Sequence, residues 1–463
     1  LCFPDTYEIG MSHLGSRIIY NILNKRADTY CERVYAPWVD MEEQLRENNE
    51  PLFSLETRSP LREFNVIGFS LLYEMCYILT VLELSGIPFL ASERGEDMPL
   101  IAAGGPCVCN PEPVAEIMDV MFFGDGEELV NDFMDVYAEC RRRGLNKRDT
   151  LIELSKITRF SKPYRPIRQR RRSVPQSYVP AFYKAEYDEN GNFSRIVKTE
   201  PSAPDRITRR IVRNLDAAEF TGDLVVPYMN IVHDRVALEI FRGCTRGCRF
   251  CQAGFIYRPI RERKPKTLID YADRQLGCTG YDEISLFSLS SGDYSEIHAT
   301  VPEILERYTK NRVSVSLPSL RIDSFLKDDL EKMQSVRKGG LTFAPEAGTQ
   351  RLRDVINKGV CEEDLLRAVG DAFESGWQGV KLYFMIGLPT ETDEDVLGIA
   401  ELARKVSRLF YQMPKDKRGK GLRCTVSAST FVPKPFTPFQ WEPQISTEEV
   451  LRRQALLRSA LKG

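Results

Sequence analysis

The sequence predicts an α/β protein in which two parallel-sheet domains follow one another along the chain. In residues 1–137, apolar runs that end in glycine-bearing loops alternate with segments of helical spacing, which is the pattern of βαβ units. From about residue 234, a second series of the same kind contains six candidate strands. With 463 residues, 42% of them hydrophobic, the chain can bury two or three cores, and this excludes a mainly disordered protein.

The N-terminal series predicts a Rossmann-like parallel sheet within residues 1–137. Its candidate strands begin at Leu1, Asn65, Pro99 and Val120, and each is followed by a loop and a helical pattern. Ligands of such sheets bind outside the carboxyl ends of the strands. We therefore expect a ligand site at the loops that follow these strands.

Residues 138–233 are predicted to be a connector between the two domains. Within them, residues 140–172 carry a net charge of +11 in a chain whose overall charge is −2, which favours a basic linker or exposed loop. In the segment 181–200, two strand-like runs flank the dipeptide Asn190-Gly191. This is the pattern of a β-hairpin with its turn at the dipeptide.

The C-terminal series predicts a partial (β/α)6 barrel over residues 234–463. In barrels of parallel strands, functional residues lie at the carboxyl ends of the strands. The six candidate strands begin at Val236, Glu283, Val313, Gly339, Gly379 and Cys424.

The strongest motif is the spacing C-x3-C-x2-C formed by Cys244, Cys248 and Cys251. Cysteine thiolates are the natural ligands of iron–sulfur clusters, and with no fourth cysteine nearby one iron would stay open for another ligand. The alternative is a structural zinc site completed by Cys278 or His298, although zinc sites usually use two pairs of ligands. The chain contains only three histidines, which argues against a metal site built from imidazoles.

Most of the twelve cysteines are scattered singly, as expected of reduced thiols in a cytoplasmic protein. Cys107 and Cys109 form a C-x-C pair that either touches a cofactor or consists of two buried thiols. The most apolar region, 64–90, is interrupted by acidic residues before it reaches the ~20 apolar residues of a membrane span. We therefore expect no membrane partner.

The cysteine motif, written RGCTRGCRFCQAG, resembles that of radical S-adenosylmethionine (SAM) enzymes. The resemblance implies that the three cysteines hold a 4Fe–4S cluster, that the open iron binds SAM, and that one electron cleaves SAM to a 5′-deoxyadenosyl radical. It also implies an electron donor of the flavodoxin or ferredoxin type. The SAM contacts that it implies are the aromatic residue before the third cysteine and residues at the following strand ends, with an arginine for the SAM carboxylate: Phe250, Ser290, Ser291, Gly292, Asp293, Ser316, Arg321, Glu346 and Gly387.

The N-terminal domain resembles the cobalamin-binding domain that precedes the radical SAM domain in a large subclass of these enzymes. The histidine-on pattern D-x-H-x-x-G is not matched, since Asp5 and His13 are eight residues apart, and we expect base-off cobalamin without a protein histidine ligand. His13 itself either contacts the cofactor or is a polar residue at a helix N-terminus. The cobalamin contacts implied by the resemblance are His13, Ser70, Leu72, Gly104, Gly105, Gly124, Gly126 and Glu127.

Together these features resemble a family of cobalamin-binding radical SAM proteins over most of the chain. The leading hypothesis is methylation of an unactivated carbon through methylcobalamin. One alternative keeps both cofactors for a rearrangement, ring contraction or oxidation. Another is an RNA-modifying enzyme that binds nucleic acid through residues 140–172. The competing interpretation of that segment is a solvated basic linker. Tyr257, Arg258 and Tyr383 either line a substrate pocket or pack internally.

Overall fold

A computed structural model gives the architecture of the chain. It describes all residues except Glu74, 159–173, 222–223, 319–340, 416–417, 419–420 and Gly463. The chain divides into two compact units, the first comprising Leu1–Arg213 and Ala217–Asp234, the second Asn214–Asp216 and Arg235–Gly463. Most of the segment predicted as a connector is therefore part of the first unit.

The first unit is built on a six-stranded sheet with the order β2-β1-β3-β4-β5-β6. Its first five strands are parallel, and β6 runs antiparallel to β5, so the predicted parallel sheet is confirmed. The strands are β1 (Cys2–Phe3), β2 (Val34–Tyr35), β3 (Val66–Ser70), β4 (Leu100–Gly104), β5 (Val120–Phe122) and β6 (Ser177–Tyr178).

Both faces of this sheet are covered. Alternate residues of β4 belong to different cores, with Ile101 and Ala103 in one and Leu100 and Ala102 in the other, which is why the strand is apolar throughout. The helices of this unit are α1 (Tyr7–Gly10), α2 (Leu14–Asn24), α3 (Val39–Glu47), α4 (Ile78–Leu84), α5 (Gly126–Arg142) and α6 (Lys147–Leu154).

The basic segment differs from the expected loop wherever the structure describes it. Helix α5 continues to Arg142, and α6 follows after a short turn. The physical reason is apolar spacing, since Leu151 and Leu154 are buried in the core beside β4 despite the charges around them. The rest of the segment, from residue 159, lies outside the described residues.

The predicted hairpin is confirmed. Strand β7 (Tyr183–Tyr187) pairs antiparallel with β8 (Phe193–Lys198), and the turn between them contains Gly191 with a left-handed φ of 79°. Asp188 closes the turn by accepting hydrogen bonds from the backbone of Asn190 and Asn192.

The second unit contains all six predicted strands of the C-terminal domain. They form two parallel three-stranded sheets, β9-β12-β13 and β14-β15-β16. A short antiparallel pair, β10 and β11, was not expected from the sequence pattern. The strands are β9 (Val236–Glu239), β10 (Phe241–Arg242), β11 (Arg261–Glu262), β12 (Glu283–Phe287), β13 (Ser314–Ser316), β14 (Leu341–Glu346), β15 (Gly379–Ile386) and β16 (Arg423–Thr430).

Helices cover one face of the sheet β14-β15-β16. On β15, Val380, Leu382, Phe384 and Ile386 are buried in a core that includes residues of the neighbouring helices. Among the described residues, no helix is long and apolar enough to cross a membrane. The helices of this unit are α7 (Ala253–Ile256), α8 (Pro265–Thr279), α9 (Ile297–Tyr308), α10 (Gln350–Val355), α11 (Glu362–Glu374), α12 (Asp393–Gln412) and α13 (Thr447–Leu461).

Candidate functional site

The three predicted cluster ligands lie on one loop between β10 and α7. Cys248 is buried, Cys244 and Cys251 are partly exposed, and all three thiols are free of disulfides. The backbone N–H of Cys251 donates to the carbonyl of Cys248 at 3.1 Å, which folds the second and third cysteines into a tight turn. Three thiols on one short loop are a donor set that fits a 4Fe–4S cluster with one iron left open.

Two glycines give this loop its shape. Gly243 has a φ of 103° and Gly247 a φ of 74°, values that an L side chain rarely adopts. A Cβ added at Gly243 would also lie 2.8 Å from the carbonyl oxygen of Pro259. The backbone therefore passes too close to the segment before β11 for any other residue at position 243.

Side chains and backbone from other segments brace the loop. Arg258 Nε donates to the carbonyl of Cys244 at 3.2 Å, and Asn357 Nδ2 donates to the carbonyl of Gly247 at 2.9 Å. The backbone N–H of Arg249 donates to Ile356 at 2.9 Å. The cysteine loop is thus fixed by residues after α10 as well as by its own turns.

Zinc and a cluster make different demands on the three cysteines. A structural zinc ion needs four ligands around a single centre, about 2 Å from each. Within the described ranges, no three His, Cys, Asp or Glu side chains are grouped so as to hold one metal ion. A cluster makes no such demand, because each cysteine binds a different iron atom.

The residues predicted after β12 form a connected polar turn. Ser290 and Ser291 are almost fully buried, and Ser290 Oγ donates to Asp293 Oδ2 at 2.7 Å. Asp293 also accepts from Arg246 Nε at 2.8 Å and pairs with its Nη2. Since Arg246 lies between the first two cysteines, the structure brings this predicted SAM-binding turn against the cysteine loop. Gly292 occupies the same turn, a single 3-10 helical turn over Ser291–Asp293.

Two further predicted SAM contacts are held by neighbours at their strand ends. Ser316 Oγ, at the end of β13, donates to Glu283 Oε1 at 3.0 Å. Glu346 ends β14 with a left-handed φ of 67° and pairs with Lys358 Nζ at 3.0 Å. Arg321, predicted to bind the SAM carboxylate, lies outside the described residues.

Gly387 follows β15 in a strained turn supported by a buried carboxylate. It has a φ of 82°, and its N–H donates to Glu391 Oε2 at 2.7 Å. Burial raises the pKa of Glu391, while the Gly387 N–H and the guanidinium of Arg453 act in the opposite direction. The loop that carries this predicted SAM contact is therefore held by Glu391, which the sequence reasoning did not identify.

Phe250 is partly buried in an apolar cluster below the cysteine loop. Its neighbours there include Leu352, Phe431 and Phe439. This packing gives the aromatic side chain a structural role in addition to the SAM contact predicted from the motif.

In the first unit, His13 caps a helix. It is the N-cap of α2, and its Nδ1 accepts from the backbone N–H of Ser16 at 3.2 Å and lies 2.8 Å from Ser16 Oγ. This contact corresponds to the second of the two roles considered for His13. Histidine here replaces the serine or aspartate more usual at such a cap.

The ends of β3 and β4 are joined through their loops. Ser70 ends β3 opposite Gly104, and the N–H of Leu71 donates to the carbonyl of Gly104 at 2.8 Å. Cys107 Sγ donates to the carbonyl of Leu72 at 2.7 Å. An added Cβ at Gly104 would meet nothing within 4 Å, so this position borders open space.

Two other glycines predicted to face cobalamin are required by the protein's own packing, and a third is closely packed against a side chain. An added Cβ would overlap the carbonyl of Leu71 at Gly105 and that of Arg210 at Gly124, both of which have a positive φ. At Gly126 it would lie 2.7 Å from a side-chain carbon of Ile19. Glu127, in the first turn of α5, is buried. In the structure, the atoms that approach these three glycines belong to the chain itself, and their contacts with cobalamin stay predictions.

Arg210 is a buried residue that the sequence reasoning missed. It is 1% exposed, its backbone pairs with Gly124, and its guanidinium pairs with Glu128 at 3.0 Å and Asp132 at 2.6 Å. No local signal marks it, since its partners lie about 80 residues earlier in the chain.

Comparisons with known proteins agree with this architecture. The family model for the N-terminal domain of radical SAM proteins matches residues 15–163, and the model for the radical SAM superfamily matches residues 238–403. An uncharacterized protein of Methanocaldococcus jannaschii is 28% identical over 443 residues, covering 96% of this chain and 79% of the relative.

Two solved structures share the fold of almost the whole chain at low sequence identity. The radical SAM methyltransferase TsrM from Kitasatospora setae, with cobalamin and a 4Fe–4S cluster bound, aligns with a TM-score of 0.56 and 14% identity, covering 95% of this chain and 76% of TsrM. The cobalamin-dependent radical SAM enzyme OxsB aligns with a TM-score of 0.54 and 13% identity, covering 99% of this chain and 56% of OxsB. By the family models, residues 238–403 thus form a radical SAM domain, and residues 15–163 form the N-terminal domain found in radical SAM proteins.

Proposed function

We propose that this enzyme binds cobalamin as well as a 4Fe–4S cluster and methylates an unactivated carbon. The observation that supports this most is the presence in one chain of the three-cysteine loop and of an N-terminal parallel sheet with open space beside Gly104. The fold shared with TsrM and OxsB supports the same pairing of cofactors. When bound, the cluster supplies the electron that cleaves SAM, and cobalamin supplies a carrier for the methyl group.

On the radical SAM side, Cys244, Cys248 and Cys251 would hold the cluster. Arg246 and Asp293 fix the cysteine loop against the turn after β12 through their two-nitrogen contact. This contact keeps the polar groups of that turn in a constant position relative to the thiols. Such preorganisation is what a radical enzyme needs in order to orient SAM and exclude water.

On the cobalamin side, the carboxyl ends of β3 and β4 offer the best-fitting surface. Ser70 and Gly104 lie opposite each other there, and the space beside Gly104 would admit a flat or extended group close to the backbone. Because the histidine-on pattern D-x-H-x-x-G is not matched, we propose a base-off cofactor without a histidine ligand.

The other functions considered make different demands. An RNA-modifying enzyme would use the cations of the basic segment, but in its described part Lys147 pairs with Asp119, Arg148 with Glu200 and Lys156 with Glu153. These pairs reduce what the described part of the segment can offer to phosphates. A rearrangement or oxidation would use the same cofactors without consuming a second SAM.

The experiment is an anaerobic incubation of reconstituted protein with SAM, a reductant and cobalamin. We expect 5′-deoxyadenosine, and S-adenosylhomocysteine only when cobalamin is present. A variant with all three cysteines replaced by alanine is the control and should form neither product. If the reduced cluster gives no 5′-deoxyadenosine, the radical SAM assignment is overturned. If 5′-deoxyadenosine forms but cobalamin does not lead to S-adenosylhomocysteine, only the proposal of methyl transfer is overturned.

A further inference from the structure

On the sheet β14-β15-β16, the face of β15 opposite the apolar core carries polar side chains. Val380, Leu382 and Phe384 point toward the helices, so the period-2 alternation of a strand places Lys381 and Tyr383 on the opposite face. The register pairs Lys381 with Thr425 and Tyr383 with Ser427. We call the surface formed by Lys381, Tyr383 and their register partners the β15 face.

The β15 face contains a cation without an acidic partner. Lys381 Nζ donates to Tyr383 Oη at 2.7 Å and lies 4.5 Å from the centre of that ring. In the part of the chain that the structure describes, Lys381 forms no ion pair. Arg423, which pairs with Gly379 in the register, also forms none among the described residues.

Several other charged groups on the strands of this unit are paired with an oppositely charged side chain. Glu346 binds Lys358 at 3.0 Å, and Glu239 binds Arg242 at 2.8 Å. Glu283 binds Arg235 at 2.5 Å. Lys381 therefore stands out as an ammonium group that has an aromatic hydroxyl as its neighbour where the others have a carboxylate.

Residues with hydroxyl groups occupy the neighbouring register positions on both adjacent strands. Thr425 and Ser427 lie beside it on β16, and Thr342 lies opposite it on β14. A half-buried ammonium group flanked by hydroxyls is suited to an anionic oxygen group, because it provides charge and hydrogen bonds at the same place.

We propose that the β15 face binds the anionic oxygen group, a carboxylate or a phosphate, of a small-molecule substrate. Lys381 supplies the charge, and Tyr383 and the neighbouring hydroxyls position the bound group. This inference rests on the proposed function, since it assigns a substrate class to the same radical SAM domain. Lys381 and Arg423 are too few cations to bind a polynucleotide, because polynucleotide binding depends on neutralising many phosphates.

The test is anaerobic calorimetric titration of the reconstituted protein with inorganic phosphate and, separately, with acetate. Saturating SAM is present throughout, so that the probe does not report the SAM carboxylate site. The variants are Lys381→Met, which removes the charge, and Lys381→Arg, which keeps it. Lys266→Met is the matched control, because Lys266 is an exposed lysine on α8 paired with Asp270 at 2.7 Å.

We expect wild type, Lys381→Arg and Lys266→Met to bind one of the two probes with similar affinity, and Lys381→Met to bind it at least about tenfold more weakly. The probe that binds identifies the group as phosphate or carboxylate. Equal binding by wild type and Lys381→Met, or no binding of either probe to wild type, would overturn the inference. The SAM cleavage of the same wild-type preparation is measured alongside, so that a failure of the proposed function is seen separately.

Discussion

Arg246 and Asp293 form a two-nitrogen ion pair that joins the cysteine loop to the turn after β12. Arg246 Nε donates to Oδ2 at 2.8 Å, Nη2 pairs with Oδ1, and Ser290 donates to the same carboxylate. The two residues are 47 positions apart, yet each lies inside a motif that bears on cofactor binding. The contact therefore ties the geometry of the thiols to that of the neighbouring strand end.

Replacing Arg246 by Gln should weaken SAM binding by about tenfold, because Asp293 loses its charged partner and the turn after β12 is no longer fixed. The measurement is the dissociation constant for SAM together with the iron content of the reconstituted protein. Arg307→Gln is a matched control, since Arg307 makes the same two-nitrogen contact to Asp273 on exposed outer helices. Equal SAM affinity in the two variants would contradict the assigned role of the pair.

Replacing Gly243 by Ala should prevent stable cluster assembly, because the added carbon would lie 2.8 Å from the carbonyl oxygen of Pro259 at a φ of 103°. A left-handed conformation alone costs an alanine about 1–2 kcal/mol. Gly277→Ala, within α8 and with nothing within 4 Å of the new carbon, should leave the cluster intact and raise the melting temperature slightly. Iron and sulfide analysis and thermal unfolding distinguish the two variants.

Replacing Gly104 by Ala should lower cobalamin affinity by about tenfold without reducing the melting temperature, because the added carbon projects into the open space and touches no protein atom. Gly68→Ala is the control, since it adds the same carbon within β3 with equal freedom. Cobalamin titration followed by visible absorption measures the difference. If Gly104→Ala binds cobalamin as wild type does, the cofactor does not lie against β4.

Replacing His13 by Ala should destabilise the protein by about 1 kcal/mol through loss of the α2 cap. His13→Asn should restore most of that stability, because asparagine is a good cap. We expect the spectrum of bound cob(II)alamin to be the same in wild type and both variants. A nitrogen hyperfine pattern in wild type that is absent from His13→Asn would instead identify His13 as the cobalt ligand.

Much of the fold could be predicted because its signals are local. Each of the six C-terminal strands is an apolar run with its own turn, and the hairpin follows from Asn190-Gly191. The fold class and the cysteine loop were accessible for the same reason. The spacing of the buried residues Leu151 and Leu154 favours a helix in this segment. Helix α6 was not predicted because the charged residues around them obscure that spacing.

The remaining features depend on contacts between distant parts of the chain. Gly124 is needed because the backbone of Arg210 passes beside it. Gly387 is supported by the carboxylate of Glu391, whose partner Arg453 comes 62 residues after Glu391. Neither partner can be read from the neighbouring sequence. From the sequence, Gly124 and Gly387 could be predicted only as cofactor contacts, because the chain atoms that approach them come from distant segments.

The bracing of the cysteine loop by Asn357 has a consequence for the order of events during biosynthesis. The amide of Asn357 reaches the carbonyl of Gly247, 110 residues earlier in the chain. A ribosome that has just completed the cysteine motif has not yet made the segment that gives the loop its final shape. Delivery of iron and sulfide into the finished loop thus follows translation of residue 357, and a chain arrested earlier would present three cysteines to the cell without the completed site.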